Sequence, residues 1–154
     1  MHINCCNANG PRAFAMIPQF AYQVEKETVH INFYVPSELE WTLPNKKSVL
    51  LKQMTDYPAT DKIEIEVEPA NGADFTVALR IPAWSKQTIV SVNGKAEKET
   101  LPGAYLPITR KWKKGDRITI QLDLRAQLVE QDGAQAIVRG PIVLARDSRF
   151  NDGY

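Results

Sequence analysis

The sequence is poor in the residues that define several common protein classes. It has 2 cysteines, too few for a disulfide framework. It has no run of about 18 consecutive apolar residues, as a membrane-spanning helix requires, and its first residues do not resemble a signal peptide. Its 19 Lys and Arg against 18 Asp and Glu lack the basic excess of a general nucleic-acid-binding protein. A glycine-rich phosphate loop and a serine nucleophile elbow are also missing. We therefore expect no nucleic-acid partner and no membrane span.

Apolar residues first recur at helical spacing. The 154 residues are 44% hydrophobic, as in ordinary folded proteins. Pro11 suits a first helical turn, and Asn9 suits the N-cap before it. One apolar stripe follows, formed by Ala13, Met16, Ile17, Phe20, Ala21 and Val24. The pattern predicts a helix over 11–25.

Beyond residue 28 the period changes to two, which is typical of half-buried strands. Asn93-Gly94 is a strong hairpin signal. The expected strands cover 29–35, 39–43, 49–55, 63–67, 75–81, 88–92, 105–108, 117–124, 127–130 and 136–144, the last interrupted by Gly140-Pro141. About ten short strands between turns predict an all-β fold, a mainly antiparallel, jelly-roll-like β-sandwich with one N-terminal α-helix. That lone amphipathic helix needs a partner surface, which we expect to lie outside this chain.

Cys5-Cys6 is the first candidate for chemistry, because thiolates are nucleophiles and zinc ligands. The pair precedes the predicted helix by about five residues. A helix N-terminus lowers a thiol pKa, and Arg12 could add to that effect. Two alternatives remain open. The pair can be two reduced cysteines in a loop, or His2, Cys5 and Cys6 can belong to a small zinc protein.

Other polar and aromatic residues carry weaker signals. Trp41, Trp84 and Trp112 could stack on sugar rings, although packing at a strand end or corner is the simpler interpretation for Trp84 and Trp112. Three glutamates share one strand face and indicate a solvated surface rather than a carboxylate pair: Glu64, Glu66 and Glu68. Asp123 and Glu130 have no evident partner, and His30 is expected at the surface.

Six stretches, in order along the chain, together carry a resemblance to a known family. They lie at 5–12, with its vicinal cysteines, and at 31–37, 78–84, 90–95, 105–112 and 136–144. The third contains Arg80-Ile81-Pro82-Ala83-Trp84 and the last Arg139-Gly140-Pro141. The chain resembles the C-terminal part of a glycoside hydrolase family 127-type protein, the β-L-arabinofuranosidase-like group. Ser85 stands where relatives often have cysteine.

The resemblance implies a domain organisation. Family members have a large α/α barrel followed by β-sandwich domains. Residues 1–27 would then be the end of the barrel catalytic domain, with the vicinal-cysteine loop and its last helix. Residues 28–130 would form a β-sandwich, and 131–154 the possible start of a second one. Most of the barrel would be missing from this chain and would be its partner in the same protein.

The resemblance also implies a mechanism. The family is retaining, with a cysteine nucleophile held on zinc. Cys5 would be the nucleophile and a zinc ligand, and Cys6 a second zinc ligand. A Glu-x-Cys pair and an acid/base glutamate would lie upstream, so the isolated chain is expected to be inactive. The implied partner is a plant-type arabinose-containing oligosaccharide or glycan, in a bacterial protein of undetermined compartment. The alternative is a stand-alone carbohydrate-binding or structural β-sandwich module.

Overall fold

One helix is followed by thirteen short strands in the computed structural model, which describes residues 5–97 and 100–145. The helix is α1 (Cys5–Phe20). The strands are β1 (Tyr22–Glu25), β2 (Thr28–Ile31), β3 (Ser37–Thr42), β4 (Ser48–Thr55), β5 (Lys62–Pro69), β6 (Ala73–Arg80), β7 (Ile89–Val92), β8 (Lys95–Ala96), β9 (Tyr105–Trp112), β10 (Asp116–Gln121), β11 (Ala126–Gln131), β12 (Ala134–Arg139) and β13 (Ile142–Leu144).

The strands form three sheets. The first has the order β1-β2-β6-β9, the second β3-β4-β5-β10-β7-β8, and the third β11-β12-β13. All pairs are antiparallel except β2 and β6, which run parallel, with Thr28 opposite Thr76 and Ile31 opposite Leu79. The first two sheets enclose a common core, so the predicted all-β sandwich is confirmed. No helix in the described ranges is long and apolar enough to cross a membrane.

The core follows from strict alternation along the strands. In β5, Ile63, Ile65 and Val67 are fully buried, whereas the glutamates between them face outward. The first sheet supplies the opposing layer with Val29, Ile31, Phe75, Val77 and Leu79. Each such large side chain contributes roughly 1.5–3 kcal/mol when it leaves water. A core that is continuous across both sheets is what makes this part of the chain a sandwich.

The predicted helix is wrong at both ends. Asn9 and Pro11 lie inside α1 rather than at its start. The helix stops at Phe20, and Val24 lies in β1, opposite Val29 of β2. Strand pairing therefore overrides the helical spacing of Val24. The turn between β1 and β2 went unrecognised because Lys26 adopts a left-handed φ of 52° without glycine or asparagine.

The other strands lie where the alternation predicts them, with shifted ends. The Asn93-Gly94 hairpin is confirmed and joins β7 to β8. β2 ends at Ile31, four residues before the predicted end, whereas β9 continues beyond residue 108 to Trp112. Gly140 separates β12 from β13. The division of the chain into domains after residues 27 and 130 stays a prediction. The strand β11 lies across the second of these boundaries.

Candidate functional site

The two cysteines lie in the first turn of α1. The expected loop of about five residues between them and the helix is therefore wrong. The first backbone N–H groups of a helix have no partner one turn earlier and carry partial positive charge, which favours thiolates nearby. The first turn holds no acidic residue that would oppose this effect, and Cys6 is exposed.

Arg12 lies about two helical turns beyond the cysteines. It is exposed, and the rise of an α-helix puts it about 10 Å further along the axis than Cys5. Two charges 10 Å apart in water interact by only about 0.4 kcal/mol, before salt screening. The charge at a helix terminus contributes about 0.3–1 kcal/mol within the first turn. Both contributions are therefore small in this exposed setting.

The donor types fit zinc, but their number does not complete a site. Zinc takes cysteine and histidine ligands, with four in structural sites and three plus water in catalytic ones. The described residues contain no group of three or more His, Cys, Asp and Glu that could hold a metal ion. His2 lies outside the described residues. Cys5 and Cys6 can thus supply at most two of the ligands that zinc needs.

The tryptophans pack inside the protein rather than forming an exposed platform. Trp112 has no exposed surface, and its Nε1 donates a hydrogen bond of 3.0 Å to the Phe75 carbonyl. Trp41 is 9% exposed and packs edge-on against Phe75. Trp84 is half-buried. Trp112 is the last residue of β9, where it pairs with Ala73, so it packs at a strand end as expected.

The glutamates of β5 form a solvated face, as predicted. Glu64 pairs with Lys62 at 2.6 Å, and Glu68 pairs with Lys52 at 3.2 Å. Such partly exposed pairs contribute about 1 kcal/mol or less. His30 is half-exposed and packs edge-on against Tyr105, with ring centroids 5.2 Å apart. None of these groups forms a pair suited to acid and base roles.

Asp123 has a partner that the sequence did not reveal. Its carboxylate accepts two hydrogen bonds from the Arg125 guanidinium, at 2.7 and 2.8 Å, and this lowers the pKa of the carboxyl. Its backbone N–H donates to the buried Ser85 hydroxyl at 2.8 Å. That hydroxyl also shares a hydrogen bond of 2.6 Å with Thr88. Ser85 and Asp123 therefore hold the end of the sandwich together. Glu130 lies exposed on β11.

The sequence also did not reveal a cavity at the base of α1. We call it the tyrosine cavity. It measures about 720 Å³ and is lined by Ile17, Pro18, Ala21, Tyr22, Phe33, Tyr34, Val35, Pro36, Ser37, Glu38, Leu39 and Tyr57. Beside it lies Gln53, which is 3% exposed and occupies an inward position of β4. The sequence held one sign of this cavity: Gln53 is polar although it continues the inward-facing positions of Val49 and Leu51 on β4.

Most of α1 is open to solvent, including apolar side chains. Phe14 is 75% exposed, Ile17 47% and Phe20 54%. The third sheet also exposes large apolar residues, with Leu128 and Val143 each at 63%. Both regions flank the sandwich without belonging to its core.

A β-sandwich preceded by a cysteine-bearing helix is the class of domain defined by these observations. The family model described as the middle domain of GH127 β-L-arabinofuranosidases matches residues 28–124. The chain belongs to glycoside hydrolase family 127.

Solved structures of this family resemble the chain over most of its length. A GH127 β-L-arabinofuranosidase from Geobacillus stearothermophilus T6 is 27% identical with a TM-score of 0.85, and the match covers 92% of this chain and 24% of that one. BT3674, described as a GH127 β-arabinofuranosidase, is 32% identical with a TM-score of 0.81, covering 93% and 26%. No curated protein matches the chain. The chain spans about a quarter of the length of these structures.

Proposed function

We propose that this chain is part of a longer retaining glycoside hydrolase that removes β-L-arabinofuranosyl groups from a plant-type arabinose-containing oligosaccharide or glycan. The observation that carries the proposal is the order of its parts. Adjacent cysteines begin a helix that leads directly into the sandwich matched by the GH127 model. The relatives bearing the arabinofuranosidase description match both the helix-bearing and the sandwich part of the chain, because they cover 92–93% of it.

Cys5 is the proposed nucleophile. Its sulfur would form a bond to the anomeric carbon while the bond to the leaving oxygen breaks, and an acid outside these 154 residues would protonate that oxygen. Water would then displace the sulfur, with the same outside group now accepting a proton, so that the sugar is released with retained configuration. The start of α1 favours the anionic sulfur that both steps require.

Cys5 and Cys6 would also hold a zinc ion together with ligands outside this chain. Bound zinc keeps a coordinating thiol deprotonated at neutral pH. Because the remaining ligands and the acid/base group are not among these residues, we expect the isolated 154-residue chain to hydrolyse no arabinofuranoside.

The test requires the longer protein, whose coding sequence is read from the source DNA around this segment. We expect it to hydrolyse 4-nitrophenyl β-L-arabinofuranoside with retention of configuration. NMR of the first-formed anomer measures this. Cys5→Ser should lower the turnover rate by at least about three orders of magnitude, as the loss of a nucleophile does in other enzymes. Cys6→Ser should lower zinc content measured by mass spectrometry.

Met54→Leu is the matched control, since Met54 is an exposed sulfur residue on β4. It should leave turnover and zinc content unchanged. Full activity of Cys5→Ser would refute the assignment of the nucleophile.

A further inference from the structure

The chain contains three Asn-Gly pairs, and each lies in a different backbone setting. They are Asn9-Gly10 in α1, Asn71-Gly72 between β5 and β6, and Asn93-Gly94 between β7 and β8. An asparagine before a glycine can lose its side-chain amide, because the glycine nitrogen approaches the asparagine Cγ without a Cβ in the way. The reaction needs a glycine nitrogen without a hydrogen-bond partner and an asparagine side chain that can turn towards it.

The pair Asn93-Gly94 is held away from this geometry. Asn93 has a φ of 51° and Gly94 a φ of 77°, which are the left-handed values of a two-residue hairpin turn. Asn93 Nδ2 donates to Asp116 Oδ1 at 2.9 Å, and Asn93 Oδ1 accepts from the Arg117 N–H at 2.8 Å. Both of these bonds must break before the side chain can turn towards the Gly94 nitrogen.

The pair Asn9-Gly10 is held by the helix. Both residues lie within α1, where a backbone N–H donates to the carbonyl four residues earlier. Gly10 lies beyond the first turn, whose N–H groups lack such partners. Its nitrogen is therefore occupied while α1 is formed.

The pair Asn71-Gly72 has neither restraint. Asn71 is exposed in the turn that carries the chain from the second sheet to the first. The Asn71 side chain and the Gly72 N–H form no hydrogen bond with any described residue. The turn is fixed on either side of these groups, since Lys47 Nζ donates to the Gly72 carbonyl at 2.8 Å and the Ala70 N–H donates to the Ser48 carbonyl at 2.9 Å.

We propose that Asn71-Gly72 is a deamidation site, which forms isoaspartate where the chain crosses between the two sheets. The Gly72 nitrogen loses its proton to solvent and bonds to Asn71 Cγ, while the bond from Cγ to the amide nitrogen breaks and that nitrogen takes up a proton and leaves as ammonia. Water then opens the succinimide ring. Cleavage of the new bond gives aspartate, and cleavage of the original peptide bond gives isoaspartate. Water is the only co-reactant.

Isoaspartate would alter the turn more than aspartate does. It lengthens the main chain by one carbon, next to a residue that lies close to β9. A Cβ on Gly72 would already be 3.4 Å from the Trp112 carbonyl oxygen. The added length displaces Gly72 from this neighbour or from Lys47, so we expect isoaspartate at position 71 to weaken the sandwich. The exposed product also presents an isoaspartyl carboxylate, the group that repair methyltransferases modify.

Ageing of the 154-residue chain at pH 8 tests the site. Peptide mapping by mass spectrometry follows conversion at each Asn-Gly pair, and methylation by an L-isoaspartyl O-methyltransferase identifies isoaspartate. Asn71 should convert at least about tenfold faster than Asn93, whose two hydrogen bonds must break first. In guanidinium chloride, where both turns are lost, the two rates should become similar. Similar rates in the folded chain would overturn the proposal.

Gly72→Ala is the matched variant. Gly72 has no positive φ, and the added Cβ would make ordinary contact, so the turn should keep its structure. The methyl group hinders the approach of the nitrogen and should slow conversion at Asn71 by about tenfold or more, whereas Asn93 should convert as before. Unchanged conversion at Asn71 would overturn the mechanism.

The effect on the sandwich is measured against Asn71→Asp, which carries the same charge without the longer main chain. Aged chain that contains isoaspartate, purified by ion exchange, should unfold at a lower urea concentration than Asn71→Asp. Equal midpoints would overturn the expected weakening. None of these measurements depends on hydrolysis of an arabinofuranoside, so their outcome is independent of the proposed function.

Discussion

The sandwich buries its large apolar residues, whereas the two elements that flank it, α1 and the third sheet, leave theirs exposed. In the sandwich, Phe75 and Trp112 have 2% and 0% of their surface exposed. In the flanks, Phe14 of α1 and Leu128 of the third sheet are 75% and 63% exposed. The same residue types thus stabilise the molecule in one region and lie open in the other. The sandwich encloses its own core, whereas the flanking elements have the composition of interior elements without the neighbours that would cover them.

The sharpest test of this contrast is truncation of one apolar side chain in each region. Trp112→Ala should lower the free energy of unfolding by about 3–5 kcal/mol, because it opens a cavity and leaves the Phe75 carbonyl without its indole donor. Leu128→Ala, on the third sheet, should cost about 0.5 kcal/mol or less. Urea denaturation followed by circular dichroism measures both. Similar losses in the two variants would mean that the third sheet shares the stability of the core.

Gly140 tests how the third sheet is attached. A Cβ at this position would overlap Leu124 Cδ2 and lie 3.2 Å from Trp84 Cη2. Its φ of 59° adds strain for any other residue. Gly140→Ala should therefore destabilise the contact by about 1–3 kcal/mol. Hydrogen exchange should accelerate in β11–β13 and stay unchanged in the sandwich.

Gly133→Ala is the control for Gly140→Ala. Gly133 also has a positive φ, of 77°, but a Cβ there would meet nothing within 4 Å. It carries the backbone strain without the overlap. Equal exchange rates in the two alanine variants would show that Gly140 is required only for its backbone conformation.

The smallest effect concerns the turns at one end of the sandwich. Asp116 accepts hydrogen bonds from Asn93 Nδ2 at 2.9 Å and from the Lys113 N–H at 2.8 Å. Burial alone would raise the pKa of its carboxyl, but these two bonds, together with the positive charges of Arg110 and Lys113, lower it. A lowered folded-state pKa stabilises the protein above the unfolded value of about 3.9, and this contribution disappears as pH falls through the folded value.

Asp116→Asn should therefore cost roughly 1 kcal/mol at pH 7 and reduce the loss of stability below about pH 4. Urea unfolding at pH 7 and pH 3 measures the difference. Asp74→Asn, which changes an exposed carboxylate on β6, is the control and should retain the acid dependence of the original chain. If Asp116→Asn loses stability in acid as steeply as the original chain, Asp116 does not contribute to the acid dependence.

The sequence predicted the sandwich because burial on one face of a strand leaves a period of two in the chain. Ile63, Ile65 and Val67 show that period directly. It did not predict β1, because Val24 fits a helical stripe equally well and only pairing with Val29 decides between them. Strand pairing between separate segments is hardly visible in the local pattern of apolar and polar residues.

The candidate site could be predicted only in part for the same reason. Adjacent cysteines are visible in a sequence, and the family resemblance gives them proposed roles. The tyrosine cavity is not visible, because it brings together Ile17, Phe33 and Tyr57 from separate segments. Its one local trace is Gln53 at an inward position, which becomes meaningful only once its partners Tyr22 and Phe33 are known.

The parallel pairing of β2 with β6 has a consequence for synthesis of the chain. Ile31 and its partner Leu79 are separated by roughly fifty residues. At ribosomal rates of about 5–20 residues per second, β2 waits roughly 2–10 s for that neighbour to be made. During this interval Val29 and Ile31, both fully buried in the finished protein, have no parallel neighbour beside them. Chaperone binding to this nascent segment should therefore be greatest before residue 79 emerges.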